Sequence, residues 1–179
     1  MLSYLRHMVE FRATIPTPDG FNYNCIEDYV LDRSTLAESA LLTEEEATIL
    51  WEAVDRRCAR YMQKQCFYNA QLLVLADESD QLQYSEGYAS GRAIIPVHHG
   101  WVTINGKVID LTWRTDKPNH LGRLRNRVIG VIPEGWEYRG VQFPKSKIAT
   151  RIIKSGSAVA FLGDYQNDFP RLREERLQD

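Results

Sequence analysis

His98-His99-Gly100-Trp101-Val102-Thr103-Ile104-Asn105-Gly106-Lys107-Val108-Ile109-Asp110-Leu111-Thr112-Trp113 reads as two alternating runs around an Asn-Gly dipeptide. Asn-Gly between such runs is the strongest short-range signal for a two-residue hairpin, because both central residues must take positive φ. A turn at Asn105-Gly106 pairs Ile104 with Lys107 and, further out, Trp101 with Asp110. Strand side chains alternate between faces, so His99, Trp101, Thr103, Val108, Asp110 and Thr112 share one face. Val102, Ile104, Ile109, Leu111 and Trp113 share the other, which reads as core, and His98 points to it. His99 is then the diagonal neighbour of Asp110, about 7 Å away between backbones, a gap that a ring and a carboxylate bridge. The register therefore selects His99 over His98 as the partner of Asp110, and a slip of one residue would reverse the choice.

Upstream, Gln65-Cys66-Phe67-Tyr68-Asn69-Ala70 opens an apolar run that predicts a helix from Cys66 to Ala76, with its exit at Asp77-Glu78-Ser79-Asp80. A thiol at a helix start sits where free amides and the helix dipole favour the thiolate. His99 can take the thiol proton and Asp110 can hold the imidazole, which makes Cys66, His99 and Asp110 the candidate nucleophile, base and orienting acid. A lone cysteine is more often a small core residue; the ordered Cys-His-Asp set is what raises Cys66 above that reading. Cys58, on the apolar face of the preceding helix, reads as core. Cys25 has no histidine and carboxylate at hairpin spacing after it and reads as structural.

Gln65 and Asn69 flank the nucleophile and are candidates to stabilise an oxyanion or orient the imidazole; Asn69 can equally tie down a neighbouring loop. Glu86 and Tyr88, on a strand expected over Gln83 to Ala89, and Trp101 on the hairpin are candidates for the substrate pocket. Glu86 can instead be a structural ion-pair partner, and Trp101 a shield over the His99–Asp110 pair. Gly87 between them signals a close backbone approach. Adjacent histidines on a strand face opposite ways and no close-spaced ligand pair exists, so neither metal nor other cofactor is expected.

Thr43-Glu44-Glu45-Glu46 is a capping box. The helix it opens has Ala47, Leu50, Trp51, Val54, Cys58 and Tyr61 on one face and is expected to end between Tyr61 and Lys64. Ala93 to Val97 leads into the hairpin, and further strands are expected over Val128 to Ile132 and Trp136 to Phe143. Residues 1–42 read as an N-terminal arm, with a helix or strand at Cys25 to Leu31. Residues 43–143 read as the catalytic core and 144–179 as a C-terminal extension ending in a charged tail, Arg171 to Arg176. The element order argues an α+β fold with an antiparallel sheet against the nucleophile-bearing helix.

With 179 residues, 44% of them hydrophobic, the chain is long enough for one domain with a substantial core. Its net charge of −2 gives no overall electrostatic footprint for nucleic acid, although cations recur from Lys117 to Arg127. No apolar stretch approaches the roughly 18 residues of a membrane span, and Met1 to His7 lacks the basic leader and apolar block of a secretory signal. Three irregularly spaced cysteines argue against a disulfide framework and for a reducing compartment. A cytoplasmic protein without a membrane partner is expected; oligomeric state stays open.

From Cys66 to Trp113 the chain resembles the transglutaminase-like branch of the papain-type cysteine hydrolases. Members carry a helix-borne Cys, a strand with Gly-Tyr, then His-Ala-Trp, and Asp-Pro-Thr after a hairpin. The matches here are Cys66, Gly87-Tyr88, His99-Gly100-Trp101 and Asp110-Leu111-Thr112-Trp113. Gly100 stands where alanine is usual and Leu111 where proline is. The resemblance implies a papain-like fold and a Cys66–His99–Asp110 triad. It implies hydrolysis or acyl transfer at an amide or thioester, as in a protease, deamidase or transglutaminase-like enzyme, with a protein, peptide or small amide substrate. A binding or inhibitory module that keeps the scaffold without turnover is the alternative.

Overall fold

The computed structural model of the chain describes residues 1–57, 61–92 and 94–177; the expectations for Cys58 and Ala93 lie outside them. The fold is α+β. Helices α1 (Leu2–Arg12) and α2 (Ile26–Arg33) precede a short strand β1 (Thr35–Leu36), then α3 (Glu44–Arg56) and α4 (Cys66–Ala76). Strands β2 (Gln83–Ser90), β3 (Val97–Ile104), β4 (Lys107–Asp110), β5 (Val128–Gly130) and β6 (Glu137–Phe143) follow, then α5 (Lys145–Ser155) and two single 3₁₀ turns. The strands form one sheet in the order β1-β6-β2-β3-β4-β5, every pair antiparallel.

The hairpin pairs Ile104 with Lys107, Thr103 with Val108 and Val102 with Ile109, the register that a two-residue turn imposes. Asn105 and Gly106 both take positive φ, 49° and 81°. The capping box forms as well, Thr43 Oγ1 accepting from the Glu46 amide and Glu46 accepting from the Thr43 amide. Glu46 reaches further: its carboxylate accepts from Asn105 Nδ2 and from Lys107 Nζ. Burial pushes the Glu46 carboxyl up, but Lys107, Asn105 and the Thr43 amide outweigh it and hold the pKa at about 2. One helix cap thus clamps the hairpin turn.

One face of the sheet is the larger core. Ala70, Leu73 and Val74 of α4 pack there with Tyr84, Val102, Ile104, Ile109 and Leu111, and the same cluster runs from Leu5 to Leu172. Residues 1–42 and 144–179 therefore share their apolar contacts with the central region. The opposite face carries a smaller cluster of Ala89, Trp101, Val108, Val128 and Tyr138. The stretch after β1 spans the sheet edges above it. Ala37 donates to Tyr138 on β6, Glu38 to Gly106 at the hairpin and Ala40 to Gly130 on β5, which covers edges that would otherwise stay unpaired.

Several expectations are corrected. Helix α3 ends at Arg56 rather than between Tyr61 and Lys64. Cys25 to Leu31 is resolved as helix α2, with Cys25 as its N-cap. α5 was not expected: its pattern is polar apart from a stripe in which Ile148 alone is buried. The tail is held by ion pairs, including Arg176–Asp28 and Arg33–Glu174.

Candidate active site

Cys66 is the first residue of α4 and is half-buried. Its helix is brought close to β3 at Gly100. A Cβ there would lie 2.8 Å from Phe67 Cδ1 and 3.0 Å from Tyr84 Oη, so glycine makes room for the residue that follows the thiol. Phe67 then packs on the His98 ring at 5.0 Å between centroids.

His99 lies on the other face of β3, against Asp110: Nε2 to Oδ2 is 2.7 Å. Both are buried, His99 at 6% and Asp110 at 1% exposure. Asp110 is a saturated carboxylate. Oδ2 also accepts from Tyr138 Oη at 3.0 Å, while Oδ1 accepts from the amides of Thr112 and Trp113 at 2.9 and 3.0 Å. Burial pushes the Asp110 carboxyl up, but His99 and the two amides overcome it and the pKa lies below the usual value. Burial alone would push His99 down; the Asp110 carboxylate, and the adjacent Cys66 side chain acting in the same sense, lift it to about 10. With Nε2 engaged by Asp110, Nδ1 is the ring nitrogen left for the thiol.

Aromatic rings enclose the imidazole. Trp101 stacks on it at 6.3 Å and 16°, Trp113 meets it edge-on at 5.2 Å, and Trp136 packs on Trp113 at 4.8 Å. Trp101 lies across paired glycines, and a Cβ on Gly140 would come within 2.5 Å of its ring. These apolar walls keep water off the His99–Asp110 pair and so strengthen it.

Among the other candidates, Gln65 is the exposed N-cap of α4, beside the thiol. Asn69 is not free to meet an oxyanion. Its Oδ1 accepts from Arg57 and the Met62 amide, and its Nδ2 donates to Met62 O and Thr112 Oγ1; every hydrogen-bonding position is used in tying the loop before α4 to the turn after β4. Glu86 is fully buried on the helix-covered face and accepts from Tyr84 Oη, His98 Nε2 and the amides of Phe161 and Leu162. It anchors the C-terminal segment. Tyr88 donates to Glu27 and lines a separate cavity beside Cys25. Trp101 is 2% exposed and acts as a wall.

Trp113 and Thr112 exchange the faces that strict alternation assigns them: Trp113 joins His99, and Thr112 meets Asn69 of α4. The cause is the Asp110 side chain, which captures the amides two and three residues on and turns the chain out of the strand; such a side-chain turn is common for aspartate. Tyr138 was missed by sequence reasoning because it comes from a strand distant in sequence, and alternation within β6 was its only signal. No family model, curated protein or solved structure matches the chain.

Proposed function

We propose that the chain is a papain-like, transglutaminase-like cysteine hydrolase or acyltransferase that cleaves an amide or thioester through an acyl-enzyme. The observation that carries this reading is the His99 imidazole, hydrogen-bonded to the Asp110 carboxylate at 2.7 Å, with the helix-starting Cys66 beside it.

In this reading the His99 imidazolium stabilises the Cys66 thiolate, and Asp110 keeps the ring oriented. Sγ attacks the carbonyl carbon, and the carbonyl electrons move to oxygen next to the first-turn amides of α4, which lack intrahelical acceptors. The oxyanion collapses and expels the amine or thiolate, which takes the proton from His99 Nδ1. Water or an amine acceptor then attacks the thioester, giving its proton to His99, and the C–S bond breaks to restore the thiolate. The buried, ring-lined surroundings of His99 and Asp110 support a base held in one orientation. The reading places the reaction in the compartment where the thiol stays reduced, the cytoplasm.

The test is to mix the protein with a simple thioester and look for an acyl adduct on Cys66 by intact-mass and peptide mapping. An adduct that forms on the wild type, and that accumulates far more slowly on His99→Ala, is expected. Absence of an adduct, together with iodoacetamide labelling of Cys66 that ignores His99, would replace this reading with a scaffold that binds without turnover.

A further inference from the structure

The loop between β4 and β5 carries Arg114, Lys117, Arg123, Arg125 and Arg127. Among the described residues, only Arg123 of these is in an ion pair, with Asp55. Between this loop and β5 lies a cavity of about 240 Å³, lined by Lys117, Arg127, Asn119 and His120 against an apolar wall that includes Ile129, with no carboxylate in its lining. Arg127 uses Nη1 on the carbonyl of Thr112 at 2.7 Å, one of the five donors of a guanidinium. Burial pushes the Arg127 pKa below its usual value and the nearby Arg114 adds to that, with Asp110 opposing. Burial also lowers His120, whose imidazole is a further hydrogen-bonding group in the lining. Arg127 is half-buried and Lys117 exposed, and two like cations lining one recess repel each other until an anion joins them.

This recess adjoins the aromatic wall of the candidate active site. A smaller cavity of about 80 Å³ shares Thr115, Lys117 and Pro133 with it and ends on Trp136, with Arg92, Asp116 and Glu134 also in its lining. Trp136 packs on Trp113, and Trp113 packs on His99.

We propose that the cavity between Lys117 and Arg127 holds an anionic group, a carboxylate or a phosphate, of the substrate acted on at Cys66. This rests on the function proposed above and names its substrate class: an amide or thioester with an acidic group beyond the reacting carbonyl. Arg127 presents a planar fork suited to either anion, and Lys117 adds a mobile point charge.

The experiment is calorimetric titration of the full chain, carrying Cys66→Ser, with glutarate and separately with inorganic phosphate at low and moderate salt. Saturable binding of at least one anion is expected, weakened at least about tenfold by Lys117→Gln, whose side chain makes no hydrogen bond within the described protein, and unchanged by Lys154→Gln on α5. Glutarate alone marks a carboxylate substrate; phosphate alone marks a phosphorylated one. In the protein with Cys66 intact, the bound anion is expected to slow iodoacetamide labelling of Cys66 over the same concentration range. No saturable binding, equal losses in the Lys117 and Lys154 variants, or binding without protection of Cys66 overturns the proposal. Because glutarate and phosphate carry no amide or thioester to cleave, anion binding succeeds or fails independently of the chemistry at the thiol.

Discussion

His98 and His99 are neighbours in sequence with separate attachments: His98 Nε2 lies 2.9 Å from Glu86 on the helix-covered face of β3, and His99 Nε2 lies 2.7 Å from Asp110 on the opposite face. One histidine anchors the C-terminal segment through a buried carboxylate, and the other stands at the thiol.

Substituting the two separates these roles. His99→Gln is expected to slow alkylation of Cys66 near neutral pH by a factor on the order of 100, the lower end of the range for losing an acid–base group. His98→Gln leaves Glu86 with Tyr84 and two amides, so labelling stays near the wild-type rate. Mass-spectrometric mapping over time checks both. A larger loss from the His98 change would exchange the assignments.

Cys66 and Cys25 differ in reactivity. Burial pushes the Cys25 thiol up to about 12, helped by the nearby Glu27, and Cys25 is only 7% exposed. Iodoacetamide at neutral pH is expected to modify Cys66 at least about tenfold faster than Cys25, since the thiolate is the reacting form. Comparable rates at the two sites would remove the case for an activated thiol.

Asp110→Asn removes the charge that lifts His99. The His99 pKa is then expected to fall from about 10 toward the ordinary value of about 6.5. Imidazole resonances followed by NMR over a pH series read this directly. A midpoint that stays near the wild-type value would show that Asp110 does not govern the ring.

Stability should decline on both sides of neutrality. His99 is raised from 6.5 to about 10, so its contribution is complete below 6.5 and is lost as pH rises through about 10. Glu46 is lowered from 4.5 to about 2, so its contribution is present above 4.5 and is lost as pH falls toward 2. Urea midpoints across pH check the two limbs. Glu46→Gln is expected to flatten the acid limb and His99→Gln the alkaline one; unchanged limbs in these variants would assign the pH dependence elsewhere.

Gly100→Ala introduces the residue usual in the resembling family, yet its Cβ would press on Phe67 and Tyr84. A cost of about 1–3 kcal/mol is expected from such overpacking. Cys66 labelling should slow as Phe67 is displaced. Urea denaturation measures the first and alkylation kinetics the second. A neutral outcome in both would mean that α4 shifts freely on β3.

The hairpin was legible because its information is local. Asn105-Gly106 dictates the turn, the turn sets the register, and period two then puts His99 and Asp110 on one face. The Thr43–Glu46 cap and the helix start at Cys66 are local in the same sense. The sequence alone therefore determined the elements that carry the three candidate residues and the choice between two adjacent histidines.

Tertiary structure decided what those residues meet. Tyr138 reaches Asp110 only because β6 pairs with β2, and Glu86 is saturated only because residues 161 and 162 fold back onto it. Asn69 is spent on a loop and a turn that no spacing rule connects. Trp113 changes faces because one aspartate side chain outcompetes strand alternation for two amides. Strand period and turn chemistry act over a few residues, whereas the satisfaction of a buried polar group depends on whichever distant segment supplies its partner.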